Sequence, residues 1–231
     1  MILGGFIKNS FVDYPSNIAA VIFTAGCNMN CWYCHNQNLI TTPKKLNNQK
    51  KLYNEIFDFL KFRQGQIDGV VITGGEPTLH SDLYEFISEI KKLNFNVKLD
   101  TNGTNPDVLA RLLDAKLIDY IAMDIKAPLS EYKSITQTNN DIEKIKQSIS
   151  LIISSDIDYE FRTTFAPPLT TTSLVEIAKY INSAKNYYIQ KYKPANINSS
   201  GIIVMPISSS EMINAQKMCG EYVKNCKIRG I

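Results

Sequence analysis

The chain has 231 residues, 44% of them hydrophobic, and a formal net charge of +3, enough to bury one sizeable core and to read as a single domain over 1–231. No apolar run approaches the ~20 residues of a bilayer span, and the basic residues form no dense tract, which argues against membrane and nucleic-acid partners. Five cysteines, an odd count in a chain of this size, do not make a disulfide framework.

In chain order, the N-terminus Met-Ile-Leu-Gly-Gly-Phe-Ile-Lys shows no basic start, long apolar stretch or small-residue cleavage site of an export signal. The first predicted strand, residues 18–23, runs directly into Thr24-Ala-Gly-Cys-Asn-Met-Asn-Cys-Trp-Tyr-Cys-His-Asn36 and puts Cys27, Cys31 and Cys34 at its C-terminal end. A four-iron cluster held by protein alone takes four cysteine thiolates. With three close together, one iron stays open to bind something else, and open coordination positions mark catalytic metal sites. A cytoplasmic location is expected from the reducing setting that an exposed iron needs. Two other metal readings compete. Cys31-Trp-Tyr-Cys34-His35 spells a c-type haem attachment pattern, though such haems belong to exported proteins. The three thiols with His35 could hold zinc, though adjacent Cys34 and His35 depart from the usual two-pair spacing. Cys219 and Cys226 read as reduced, helix-side thiols.

Apolar spacing then predicts a helix over 48–62, a strand over 69–73, a helix over 81–93 capped by Ser81, and a strand over 96–99. Asn105-Pro106-Asp107 opens another helix. A strand over 119–123 follows, then a helix over 141–154, a strand over 158–165, a helix over 172–183, a strand over 187–191 and a helix near 211–223. The polar, irregular stretches 41–49 and 193–201 are no domain boundaries, and Lys44 and Lys45 suit a solvated approach to a helix. Six βα units imply parallel strands with right-handed crossovers. Because the chain is short for eight units, the expected fold is α/β, an open, partial (β/α)6 TIM-like barrel.

Active sites of parallel α/β folds lie at the C-terminal strand ends. Four consecutive predicted strands deliver chemistry there: the three cysteines, Thr73-Gly-Gly-Glu-Pro77, Asp100-Thr-Asn-Gly103 and Asp124-Ile-Lys126. In Tyr159-Glu-Phe-Arg-Thr-Thr-Phe165 a period of two places Glu160, Arg162 and Thr164 on one face, toward the lumen. A Glu160–Arg162 structural pair is one reading of that face.

Cys-x-x-x-Cys-x-aromatic-Cys followed by Gly-Gly-Glu-Pro resembles the radical S-adenosylmethionine (SAM) superfamily. The resemblance implies an oxidoreductase with a [4Fe-4S] cluster on Cys27, Cys31 and Cys34, whose open iron chelates SAM and whose electron cleaves it to a 5′-deoxyadenosyl radical. It further implies that Gly74, Gly75 and Glu76 receive the SAM ammonium group, that Tyr33 lies near the adenine, and that Arg162 reaches the SAM carboxylate. Asp100, Thr101, Asp124 and Lys126 are similar to a set that, in glycyl-radical activating enzymes such as the pyruvate formate-lyase activator, holds a monovalent cation beside SAM. Their oxygens are hard donors suited to such an ion.

The opening Gly5-Phe-Ile-Lys-Asn-Ser-Phe-Val-Asp-Tyr-Pro15 and the closing Arg229-Gly230 resemble anaerobic ribonucleoside-triphosphate reductase activating proteins. That resemblance implies a glycyl radical enzyme as partner, with anaerobic ribonucleotide reductase as the expected one, and a flavodoxin or ferredoxin as electron donor, all under anaerobic conditions. Two alternatives stay open: a radical SAM enzyme acting on a small molecule, similar to 7-carboxy-7-deazaguanine synthase, and a non-enzymatic metal- or cluster-binding module.

Overall fold

A computed structural model describes residues 1–41, 48–194 and 204–231. The stretches 41–49 and 193–201 that the sequence marks as irregular, with Lys44 and Lys45, lie largely outside these residues. One sheet forms the framework, its strands neighbours in chain order: β1 (Leu3–Ser10), β2 (Ala19–Thr24), β3 (Gly69–Gly74), β4 (Asn96–Thr101), β5 (Tyr120–Asp124), β6 (Asp158–Phe165), β7 (Asn186–Lys191) and β8 (Asn225–Arg229). β1 is antiparallel to β2, and every later pairing is parallel. Among the described residues β1 and β8 remain unpaired edges, so the barrel is open.

Between the strands run α1 (Gln37–Thr41), α2 (Gln49–Phe62), α3 (Leu83–Lys92), α4 (Pro106–Asp114), α5 (Tyr132–Thr136), α6 (Ile142–Ser154), α7 (Thr171–Tyr180) and α8 (Ser209–Cys219). The six predicted strands correspond to β2 through β7. Strands β1 and β8 and the one-turn helices α1 and α5 carry no comparable signal. β1 contains two glycines and β8 is half-exposed along its length, so neither shows the buried apolar run that marks an inner strand.

Caps differ from expectation in two places: Asn105, expected to cap α4, instead turns its side-chain amide to Thr78, and α3 begins later than expected. α3 starts at Leu83 behind Asp82, not at Ser81, and the Asp82 carboxylate pairs with the N-terminal amine instead of capping. Asp141 and Ser208 do cap α6 and α8 with their side chains.

The two faces of each strand divide the core. Ala20, Ile22, Val70, Ile72, Val97, Leu99, Ile121 and Phe161 pack outward against the helices in one large apolar cluster. Their alternates face the lumen, because successive side chains point to opposite sides of a strand. At the N-terminal end the lumen is closed by Tyr14, Ala19, Val21, Val71, Tyr120 and Ala122. Toward the other end the same register brings up Lys98, Asp100, Asp124, Glu160, Arg162 and Arg229. The lumen therefore passes from an apolar floor to a charged layer beneath the cysteine loop.

Candidate functional site

The cysteine loop leaves β2 and is fastened along both sides. Gly75 N–H donates to the Thr24 carbonyl (2.9 Å), Glu76 N–H to the Gly26 carbonyl (2.8 Å), and the Asn36 side chain to the Gly74 carbonyl (3.2 Å). Asn28 and Asn102 share a 2.9 Å bond, Asn28 also reaches Thr104, and Asn30 N–H donates to the Thr136 carbonyl of α5. The loop thus hangs between the ends of β3, β4 and α5, and its thiols stay over the lumen.

The glycines serve this fastening. A Cβ on Gly75 would lie 2.7 Å from the Gly26 carbonyl carbon and nearer still to its oxygen, and one on Gly74, whose φ is +113°, would lie 2.5 Å from Thr24 N. Approach of the loop's own backbone is enough to require glycine at both positions.

Cys27, Cys31, Cys34, Tyr33, His35, Gly74, Gly75, Glu76, Asp100, Thr101, Asn102, Asp124, Lys126, Arg162 and Thr164 all line one cleft. The residues that the resemblance assigns to the cluster and to SAM therefore line one cleft. Among the described residues no three His, Cys, Asp or Glu side chains are arranged to hold one metal ion; a cubane cluster would take one thiolate on each of three different irons. Burial pushes the Cys27 thiol up to about 11, against the lowering effect of the Met29 N–H, and burial raises Cys31 as well. Such thiols are inert until a metal takes their protons. Two donors already point at Cys27 Sγ: Met29 N–H at 3.4 Å and the Asn102 side-chain amide at 3.9 Å.

Glu76 is buried, and its carboxylate is fully engaged. One oxygen accepts from Thr78 N–H (3.1 Å), the Thr78 hydroxyl (2.6 Å) and the Thr101 hydroxyl (2.8 Å), the other from Asn102 N–H (2.6 Å). It ties the end of β3 to the end of β4. Desolvation raises its pKa, and these four donors work against the rise.

Below the loop lies an ion network. Asp100 accepts from the Lys98 ammonium on one oxygen, and from Arg162 Nη1 (3.0 Å) and the Thr73 hydroxyl (3.2 Å) on the other. Asp124 accepts from Arg162 Nε (2.7 Å) and from Lys126 Nζ (2.9 Å). Burial opposes ionisation of both acids, yet Arg162 with Lys98 holds Asp100 below the usual carboxylate range, and Arg162 with Lys126 holds Asp124 well below it. Arg162, also buried, is kept charged by the same two acids.

The Glu160–Arg162 pair expected from the strand pattern is displaced by a better one. Glu160, wholly buried, takes both arms of Arg229 at 2.7 and 2.8 Å and the Tyr120 hydroxyl at 3.0 Å, while Arg162 stands 3.9 Å away. Arg229 lies on β8, and its distance in sequence hides the contact. Asn102 and Lys98 carry a signal of position alone, Asn102 beside Asp100 and Thr101 at a strand end and Lys98 two residues before Asp100 on the lumen face. Tyr33 is buried against Trp32, with its hydroxyl unpartnered among the described residues. Of the two thiols expected beside a helix, Cys219 ends α8 but Cys226 lies on β8, and both are free.

The pattern that defines the radical SAM superfamily matches residues 21–181. A relative from Methanocaldococcus jannaschii, whose provisional name is glycyl-radical enzyme activating enzyme, is 36% identical over the whole chain and 96% of its own length. The pyruvate formate-lyase-activating enzyme of Staphylococcus epidermidis is 25% identical over 83% of this chain and 78% of its own. Among solved structures, Streptococcus suis SuiB bound to S-adenosylmethionine superposes with a TM-score of 0.68 at 14% identity, over 91% of this chain and 50% of that one.

Proposed function

The chain belongs to the radical SAM superfamily and is a homologue of glycyl-radical enzyme activating enzymes; from that premise we propose that it generates a glycyl radical on a partner enzyme, anaerobic ribonucleoside-triphosphate reductase being the target. The observation that carries the reading is the single cleft in which three thiols stand over an open lumen beside two glycines and a buried ion network.

Cys27, Cys31 and Cys34 would hold the cluster. With SAM bound to it, the cluster supplies one-electron reductive cleavage and a 5′-deoxyadenosyl radical. The chain's own residues position and shield. In this reading the Gly74 and Gly75 edge would receive the ammonium group of SAM and Tyr33 would lie near its adenine; all three line the cleft. Arg162, fixed by two carboxylates, offers a guanidinium to the SAM carboxylate. Glu76 acts through the backbone, by locking β3 to β4. Met29 N–H and Asn102 donate toward Cys27 Sγ, and such bonds tune a cluster's potential.

A protein substrate requires that a polypeptide loop reach the thiols, and the unpaired β1 and β8 edges leave the barrel open among the described residues. No helix among the described residues is long and apolar enough to cross a membrane. An exposed iron requires a reducing, anaerobic setting, so the cytoplasm and a flavodoxin or ferredoxin donor complete the proposal. The test is electron paramagnetic resonance on the reconstituted protein mixed with SAM, a reductant and an anaerobic ribonucleotide reductase. A glycyl doublet that requires all three cysteines supports the reading. SAM cleavage without any doublet on this or another glycyl radical enzyme would move the assignment to a small-molecule substrate.

A further inference from the structure

The resemblance carries a monovalent cation between Asp100 and Asp124, and the side chains there do not fit one. All four carboxylate oxygens already accept from cationic groups: Asp100 from Lys98 and Arg162, Asp124 from Arg162 and Lys126. The Thr101 hydroxyl, the third expected donor, gives its proton to Glu76 at 2.8 Å and accepts from Gly103 N–H at 3.1 Å. Arg162 bridges the two acids, at 3.0 Å to Asp100 and 2.7 Å to Asp124, and its side chain is only 11% exposed. Three cationic side chains around two carboxylates leave a surplus of one positive charge, so a further cation would meet net repulsion in a desolvated setting.

We propose that the Arg162 guanidinium takes the place of the monovalent cation, so that this chain binds SAM without sodium or potassium. The inference rests on the radical SAM reading of the cleft, and it assigns this chain a cation independence built into its sequence. A guanidinium suits the position, since its planar fork addresses two carboxylates at once and carries a permanent charge. It is held from behind as well: Glu160, locked by Arg229, stands 3.9 Å from Arg162 Nη1. The cation thus comes from β6 and is anchored to β4 and β5, where a dissolved ion would have to be captured anew.

Two measurements test this on the full chain, kept anaerobic and reconstituted. In the first, SAM affinity is determined by calorimetry in potassium chloride, sodium chloride and tetramethylammonium chloride at equal ionic strength. Wild type should vary by less than about twofold, and a loss of about tenfold or more in tetramethylammonium overturns the proposal. In the second, sodium-23 line broadening reports ion binding without SAM. Wild type should show none at the cleft, while Arg162→Gln, which frees the two carboxylates, should gain sodium binding that Asp124→Asn in the same background removes. Sodium binding by wild type, or none gained by a folded Arg162→Gln, overturns the proposal. If Arg162→Gln does not fold, the wild-type arms decide alone. Failure to bind SAM in every salt would strike the functional reading, and the sodium arm would still decide the question of the cation.

Discussion

Arg229→Met removes the partner of a carboxylate that has little else. Glu160 is wholly buried and accepts two bonds from Arg229, one from the neutral Tyr120 hydroxyl, and stands 3.9 Å from a guanidinium already shared by Asp100 and Asp124. Breaking a buried ion pair costs about 3–5 kcal/mol because the surviving charge is left uncompensated. The Arg229 side chain is 34% exposed, so water can enter where it stood, and we place the loss below that range, at about 2–3 kcal/mol. At roughly 2–4 °C per kcal/mol for a chain of this length, the melting temperature should fall by about 4–12 °C. Calorimetry on the cluster-free protein measures this. The double variant Glu160→Gln, Arg229→Met, which removes the stranded charge, should recover part of the loss. An unchanged melting temperature in Arg229→Met, or a double variant as unstable as the two single losses added, would refute the argument that Glu160 depends on β8.

Gly75→Ala should destabilise by about 1–3 kcal/mol through overpacking against Gly26, and a melting temperature equal to wild type would show that the loop gives way freely. Asn102→Ala should lower the cluster's reduction potential, because a donor toward Cys27 Sγ is lost, and a redox titration followed by electron paramagnetic resonance would contradict this by returning the wild-type potential. Asp100 and Asp124 have folded-state pKa values depressed by their cationic neighbours. Their contribution to stability is present above the unfolded value of about 3.9 and is lost as pH falls through the folded values. Arg162→Gln weakens that depression, so acid unfolding followed by circular dichroism should begin at a higher pH than in wild type, and an identical acid limb would count against the network.

Inner strands such as β3 are legible because burial on both faces leaves a continuous apolar run, Val70-Val71-Ile72, whereas β4 and β6 carry Lys98, Glu160 and Arg162 within the strand on the lumen face. The rim is legible because polar or cysteine residues stand at the C-terminal ends of consecutive strands, as Cys27, Glu76, Asp100 and Asp124 do. What escaped was pairing across sequence distance. Arg229 reaches Glu160 over 69 positions, and nothing local in Asn225–Arg229 indicates an edge strand with one residue turned into the lumen. The resemblance gives Gly74 and Gly75 a ligand group to receive, whereas backbone packing against Thr24 and Gly26 already requires glycine there, a contact that only the β2–β3 register defines.

The most direct measurement is the yield of 5′-deoxyadenosine from anaerobically reconstituted protein incubated with SAM and dithionite, beside the single variants Cys27→Ala, Cys31→Ala and Cys34→Ala. Production by wild type and its loss in each variant is the predicted result. Undiminished production in any one variant, or none from wild type carrying a reduced cluster, would contradict the assignment of these three thiols to reductive SAM chemistry.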